Sequence, residues 1–346
     1  MQRVTIKDIA VAANVSLGTA SKVLNGDESV KESNRRAVQQ AVERLGYNVN
    51  KIARSLAHKP IRIGVLLPSV FKEYYHPMLV GIENVVESLS DFKVSAIYES
   101  YANYNDTERV VSCLQRFVRE DISGIILGPS YVGTYSDQII QLRQQGIPVV
   151  LVLSDLKDSG RIACVRIDAV LSGKTAADLA GLTLYGRKSA TVFVGSMDVA
   201  EHRLKAESFL KRGTELGISV AGVYETQDEP QIAYRLTADL LKQNPELRLI
   251  YVATGNSVAV CQCINDHNLQ GQVQVIATDT PSELQPYVKN GTVIGVLDQR
   301  FEQQGAVAVN TLYRYLTEGI LKKEETRITP RLLLRSGILD RMNVKE

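Results

Sequence analysis

From residue 61 onward, apolar residues fall into short uninterrupted runs separated by stretches in which they recur every three or four positions. Runs of the first kind predict buried strands and the second kind predict helices with one apolar face. Strands are expected at 61–67, 94–98, 124–127 and 148–153, with helices near 77–89, 107–119 and 136–145 between them. A second series places strands near 164–167, 190–194, 220–224, 249–252 and 273–277, and helices near 172–184, 202–216, 230–243 and 257–267. The run at 293–297, a helix near 303–317 and the leucines at 332–334 complete the pattern. Strand and helix in alternation mean an α/β fold, here two doubly wound parallel sheets of similar size with a cleft between them. Ligands of such sheets sit beyond the carboxyl ends of the strands.

The first sixty residues read differently. Thr5-x-x-Asp8 is a capping box that opens a helix whose Ile6, Ile9, Ala10 and Ala13 share one face. Asn14 and Val15 supply a turn, and Ser16 caps a second helix with Ala20, Val23 and Leu24 facing inward. Asn25-Gly26 stops that helix, and a third carries Ala37, Val38, Ala41, Val42 and Leu45 as far as Gly46. This is an all-α helix-turn-helix head. Residues 50–57 have the pattern of two helical turns, too short to be stable alone in water, before His58-Lys59-Pro60 breaks it. The expected organisation is a head at 1–47, a hinge helix and linker at 48–60, and a core at 61–346. Within the core the first lobe is expected at about 61–160 plus 293–320, and the second at about 161–292 plus 321–346.

A chain of 346 residues is long for one hydrophobic core, which agrees with this division. Charge sharpens it. Residues 1–60 hold ten Lys and Arg against five Asp and Glu, a net +5, whereas the remainder holds thirty against thirty-three, a net −3. A basic module on a slightly acidic body predicts that the head alone meets a polyanion. Cys113, Cys164, Cys261 and Cys263 are scattered and suggest neither a disulfide framework nor a metal site. The polar amino terminus and the lack of any apolar stretch of about 18 residues predict a cytoplasmic protein that does not engage the membrane. Enzymatic readings find no support. Gly173-Lys174-Thr175 invites a phosphate-loop reading, but the loop's first glycine falls at Asp168, whose carboxylate would repel a phosphate. The four histidines form no zinc pair, and no Gly-x-Ser-x-Gly elbow occurs. No catalytic group, metal or cofactor is expected.

In a helix-turn-helix the second helix enters the major groove with its first residues toward base edges. Here Leu17, Gly18, Thr19, Ser21 and Lys22 take those positions. Leu17 can touch a thymine methyl, Gly18 lets the helix approach closely, and Lys22 can donate to guanine. Ser16, Ser21 and Asn25, with Thr5 at the start of the first helix, suit phosphates. The segments Val4-Thr5-Ile6-Lys7-Asp8-Ile9-Ala10, Asn14-Val15-Ser16, Ala20 to Gly26, Leu45-Gly46-Tyr47 and Ala53-Arg54-Ser55-Leu56-Ala57 resemble the head of the lactose-repressor (LacI/GalR) family. The resemblance implies a core like the periplasmic sugar-binding proteins. It also implies that Leu17, Gly18 and Lys22 read bases, and that Tyr47, Asn50 and Arg54 lie at the DNA near the hinge. Residues 50–57 would then fold only on DNA, with Leu56 as a wedge that kinks the duplex.

For the cleft, Tyr74 and Tyr75 can stack on a sugar ring, Asp279 at a strand end can bind paired hydroxyls, and Gln299 offers a bidentate amide. By resemblance to pentose- and hexose-binding relatives, further positions are Asp155, Lys205 or Arg203, and Asn256, with Asp168 a further candidate. The function expected is a DNA-binding transcriptional regulator, most simply a repressor. It would bind a palindromic double-stranded operator as a homodimer, with a tetramer left open, under control of a sugar-like effector. The alternative is a regulator of the same type that answers to a partner protein.

Overall fold

The computed structural model describes residues 4–24, 30–45, 59–69, 72–102, 106–129, 135–156, 158–184 and 189–343. Asn25, Tyr47 and the expected hinge helix with Asn50, Arg54 and Leu56 lie outside these residues, as does the side chain of Tyr74.

The head folds as its pattern predicts. Helices α1 (Ile6–Ala12), α2 (Leu17–Leu24) and α3 (Glu32–Leu45) bury Ile9, Ala10, Ala13, Ala20, Val38 and Ala41 in one small core. The Asp8 carboxylate accepts from both the Thr5 amide and the Thr5 hydroxyl at 2.7 Å, and these bonds hold its pKa below the ordinary value. Asn14 turns the chain with φ of +52°, a left-handed conformation that asparagine tolerates better than most residues.

The core contains two six-stranded sheets. The first is built from β1 (Ile61–Pro68), β2 (Val94–Tyr101), β3 (Gly124–Leu127), β4 (Val149–Val152), β5 (Ala163–Ile167) and β11 (Glu325–Ile328), in the order β11-β5-β4-β3-β1-β2. All its neighbours are parallel. The second contains β6 (Ser189–Val194), β7 (Ser219–Glu225), β8 (Leu249–Val252), β9 (Gln274–Thr278), β10 (Val293–Asp298) and β12 (Arg331–Leu333). Its order is β12-β10-β9-β8-β6-β7, with only the edge strand β12 antiparallel. The central strands read as unbroken apolar runs because helices cover both faces. On the first sheet these are α4 (Lys72–Ser88), α5 (Thr107–Arg119), α6 (Ser136–Gln144) and α12 (Phe301–Glu318); on the second, α7 (Ala169–Thr183), α8 (Ala200–Glu215), α9 (Pro230–Gln243), α10 (Ser257–Asp266), α11 (Gln285–Lys289) and α13 (Arg335–Asn343).

The allotment of strands to lobes differs from the expectation. Strand β5, expected in the second lobe, completes the first sheet, and β10, expected in the first, lies in the second. Strand β11 also sits in the first sheet rather than the second. The physical reason lies in the connections. Parallel neighbours usually need a helical crossover, yet β4 and β5 are joined by residues 153–162 without one, which in the sequence looks like a domain break. The chain instead passes between sheets after β5, after β10 and after β11, at connections of two residues or fewer.

Helix α4 begins earlier than its apolar pattern suggested and carries Pro77 within it. It packs closely against α12, where a methyl on Gly305 would overlap the Met78 carbonyl oxygen. Gly305→Ala is therefore expected to destabilise the core by about 1–3 kcal/mol, despite its better helix propensity. A urea-unfolding midpoint checks this; an unchanged or higher midpoint would show that the two helices can part without cost.

Candidate functional site

Two surfaces carry the chemistry, one in the head and one in the core. In the head, Leu17, Gly18 and Lys22 are exposed along α2, with Leu17 46% accessible although large and apolar. A methyl on Gly18 would meet nothing nearer than the Ser16 hydroxyl at 3.7 Å, so the bare backbone there is not demanded by the fold. Ser16 accepts from the Thr19 amide at 3.0 Å and meets the Thr19 hydroxyl at 2.9 Å, so Ser16 caps α2 at its exposed start. Thr5 is exposed and engaged with Asp8. Ser21 is half-buried between the exposed positions.

In the core, the carboxyl ends of both sheets face a cavity of about 90 Å³. Tyr75 lines it from α4, tilted against Phe301 with ring centroids 5.7 Å apart. Asp279 follows β9 and Gln299 follows β10. The backbone amide of Gln299 donates to Asp279 Oδ1 at 2.9 Å, and its side-chain amide donates to Oδ2 at 2.7 Å. Lys205 of α8 closes the group, with Nζ donating to Gln299 Oε1 at 2.9 Å and to the Ala253 carbonyl at 3.3 Å. Burial pushes Asp279 up to about 6, against the pull of the Gln299 bonds and Lys205. Burial also lowers the Lys205 ammonium, which Asp279 partly restores. Thus Tyr75, Lys205, Asp279 and Gln299 are brought together as the sequence suggested.

Other expected residues are employed elsewhere. Asp155 pairs with Arg161 through both carboxylate oxygens, pinning the helix-free connection between β4 and β5. Arg203 is turned away, donating to the Met197 carbonyl at 2.8 Å. Asn256 is buried and donates to Thr226 Oγ1 at 2.9 Å, behind the cavity wall. Asp168 caps α7 by accepting from the Leu171 amide at 2.9 Å. Gly173, of the rejected phosphate-loop pattern, lies inside α7, where any methyl would strike the Lys205 carbonyl on α8.

Residues the sequence reading passed over complete the site. Glu201, at the start of α8, accepts from Arg166 Nη1 at 2.7 Å and from Ser154 Oγ at 2.8 Å. Arg166 lies on β5 and Ser154 follows β4, so this carboxylate of the second lobe is held entirely by the first. Arg166 also binds Glu325 at 2.6 Å, which Arg327 grips in turn at 2.8 Å. Burial opposes the charge on Arg166, but its two carboxylates prevail and hold its pKa above the ordinary value. The Arg327 and Arg166 bonds bring Glu325 down to about 2. Beside them His202 accepts from the Ser196 amide at 3.3 Å, and burial lowers it to about 4, so the ring is neutral near pH 7. Asp228 follows β7 and accepts from the Thr254 hydroxyl. Positions 201, 202 and 205 share one helix face, a signal that was available; Asp228 after β7 repeats the placing of Asp279 after β9.

Backbone strain collects here too. Leu153, Asp228 and Asp279 line the cavity with φ of +73°, +55° and +58°, a conformation costly for residues other than glycine.

A helix-turn-helix head joined to a two-lobed core with a polar interlobe cavity defines a class: DNA-binding regulators built on a small-molecule-binding fold. Comparison with known proteins is specific. Residues 5–50 match the family described as "Bacterial regulatory proteins, lacI family", and residues 63–320 match "Periplasmic binding protein domain". The chain belongs to the periplasmic binding protein domain family over residues 63–320, carries a LacI-family DNA-binding head at residues 5–50, and is a DNA-binding transcriptional regulator. It is 26% identical to Catabolite control protein A of Priestia megaterium over 96% of this chain and 99% of that one. It is 34% identical to Catabolite control protein A of Staphylococcus epidermidis over 61% of this chain and 60% of that one. Among solved structures, the core resembles GanP, a glucose-galactose binding protein from Geobacillus stearothermophilus. The TM-score is 0.72 at 20% identity, over 80% of this chain and 99% of that one. A putative LacI transcriptional regulator from Bacteroides fragilis gives a TM-score of 0.72 at 20% identity over 82% and 99%. Among the described residues no helix is long and apolar enough to cross a membrane.

Two expectations follow. Arg166→Met leaves Glu201 buried without its cation and should cost about 3–5 kcal/mol, while Arg166→Met with Glu201→Leu should recover most of that. Additive losses in a double-mutant cycle would show that the two groups do not interact. The pH dependence carries opposite signs from two neighbours. Asp279, raised from 3.8 to about 6, stabilises most below pH 4, and that contribution is lost as pH rises through 6. His202, lowered from 6.5 to about 4, stabilises above pH 6.5, and that contribution is lost as pH falls toward 4. Each effect is on the order of 3 kcal/mol. Between pH 7 and 4.5, Asp279→Asn should therefore lose stability more steeply than the native chain and His202→Gln less steeply, read from urea midpoints. The reverse ranking would contradict both assignments.

Proposed function

We propose that the chain acts in the cytoplasm as a homodimeric repressor, gripping a palindromic operator through α2 under control of a small sugar-like effector in the interlobe cavity. The observation that carries the effector reading is the Asp279–Gln299–Lys205 group, a carboxylate, an amide and an ammonium converging at strand ends where such folds take ligands. Their donors and acceptors alternate within one buried network, the arrangement that paired hydroxyls match. The cavity's present size is well below the roughly 300–1,000 Å³ of small-molecule sites, so ligand entry parts the lobes at the Glu201 contacts. An effector thereby selects among lobe arrangements.

For DNA, Lys22 and Leu17 are the side chains for base edges, and Thr5, Ser16, Thr19 and Ser21 suit phosphates. By family resemblance, Asn25, Tyr47, Asn50, Arg54 and the Leu56 wedge complete the surface. Two-fold pairing is supported by exposed apolar side chains at sheet edges, Tyr98 on β2 and Leu332 on β12.

Fluorescence anisotropy on an operator selected from random DNA tests this reading. Affinity should fall steeply with salt, with a log–log slope of about −0.9 per phosphate engaged, and Lys22→Ala should relax preference at one base pair by about 1–3 kcal/mol. Gly18→Ala should leave the head folded yet weaken binding, because the added methyl stands between α2 and the groove. Equal affinity for a chain lacking residues 1–60 would end the proposal.

A further inference from the structure

Resting on the reading of the cavity as an effector site, we infer that its effector is a small polyol carrying no anionic group, and that Gln304 is one of the residues that select it. Hydroxyls or a single amine supply the donors; phosphate esters and sugar acids are refused.

Charge argues first. Three carboxylates line the cavity, Glu201, Asp228 and Asp279, against the single ammonium of Lys205. That ammonium already donates to Gln299 Oε1 and the Ala253 carbonyl. The guanidinium behind the wall, Arg166, is divided between Glu201 and Glu325. His202 adds no charge near neutral pH, since its buried ring is held unprotonated. A phosphate or carboxylate would therefore enter a net negative wall of low dielectric and gain a cation only by stripping Lys205 from its partners.

Hydrogen bonding argues second and independently. Gln304 of α12 lines the cavity and is 1% exposed. Its Nε2 donates to the Gln299 carbonyl at 2.8 Å, which fixes the orientation of the amide. Its Oε1 is left buried with no donor. A buried acceptor without a donor is costly, and a ligand hydroxyl or amine removes that cost where an anionic oxygen cannot. Asp279 leans the same way. Both its oxygens accept from Gln299 and each retains a lone pair for a further donor. The cavity thus holds acceptors in surplus on two sides, Gln304 from the first lobe and the carboxylates from the second.

The test is thermal shift followed by calorimetry on the full chain. The panel comprises pentoses, hexoses, hexitols and hexosamines, each beside its phosphate ester or its acid. At least one uncharged or amino member should bind, and its phosphate ester and acid should bind at least tenfold more weakly. Gln304→Leu, confirmed folded by its melting curve, should lose at least tenfold for that ligand. One monodeoxy analogue that binds the native chain more weakly than its parent should lose nothing further in Gln304→Leu, a result that a merely structural role for Gln304 does not give. A phosphate ester binding more tightly than its parent sugar overturns the inference alone. Unchanged affinity in Gln304→Leu removes Gln304 from the site. No binding by any member overturns the effector reading beneath it, and the inference with it.

Discussion

One buried carboxylate is shared between the two lobes of the core, and the cleft takes its present form from it. Glu201 belongs to the second lobe by chain and to the first by bonding, held by Arg166 and Ser154. A charge removed from water needs its partners, and the lattice of Arg166, Glu325 and Arg327 supplies them in turn. With this pair made, the walls around Glu201 enclose a small polar cavity. With it broken, Glu201 keeps the Ser154 hydroxyl, a neutral donor. A ligand that enters must therefore offer at least as much to the two walls as Glu201 now gives.

The same region stores strain as well as charge. Leu153, Asp228 and Asp279 adopt left-handed backbone conformations at the ends of β4, β7 and β9, and Arg300 does so where the chain leaves β10 for α12. Such conformations persist only where surrounding structure over-determines them. Here the parallel sheets do so, since each of these strands is paired on both sides or packed beneath helices. Parallel architecture thereby converts buried, rigid strands into a ring of strained loop residues, and the polar groups of the cavity stand on that ring. The interlobe connection after β10 runs through this ring at Gln299 and Arg300, so movement of one lobe reaches the Gln299–Asp279 bonds directly.

Periodicity made the elements legible, and it did so for a physical reason: burial on one face or two leaves its mark on residue order. The head core, the strands and the helices follow from that mark. What periodicity does not encode is which sheet receives a strand, and so β5, β10 and β11 changed lobes once their pairing was seen. The cavity was legible in part. Asp279 and Gln299 announce themselves as polar residues ending apolar strands, and Lys205 came through family resemblance. Asp155 and Arg203 are of the same residue types, but short-range partners, Arg161 and the Met197 carbonyl, claim them. Glu201 was missed because its partner is far away in sequence on a strand, where long-range ion pairs leave no spacing to read. Gln304 gave no signal at all, since a glutamine in a helix is ordinarily a surface residue.

Control of DNA binding from the cleft is the central claim, and operator affinity measured with and without a bound sugar addresses it most directly. A sugar that raises the melting temperature of the native chain should, at saturation and fixed salt, change operator Kd by at least tenfold. The same sugar should leave Kd unchanged in Asp279→Ala. Identical operator affinity in the native chain with and without saturating sugar would contradict the claim.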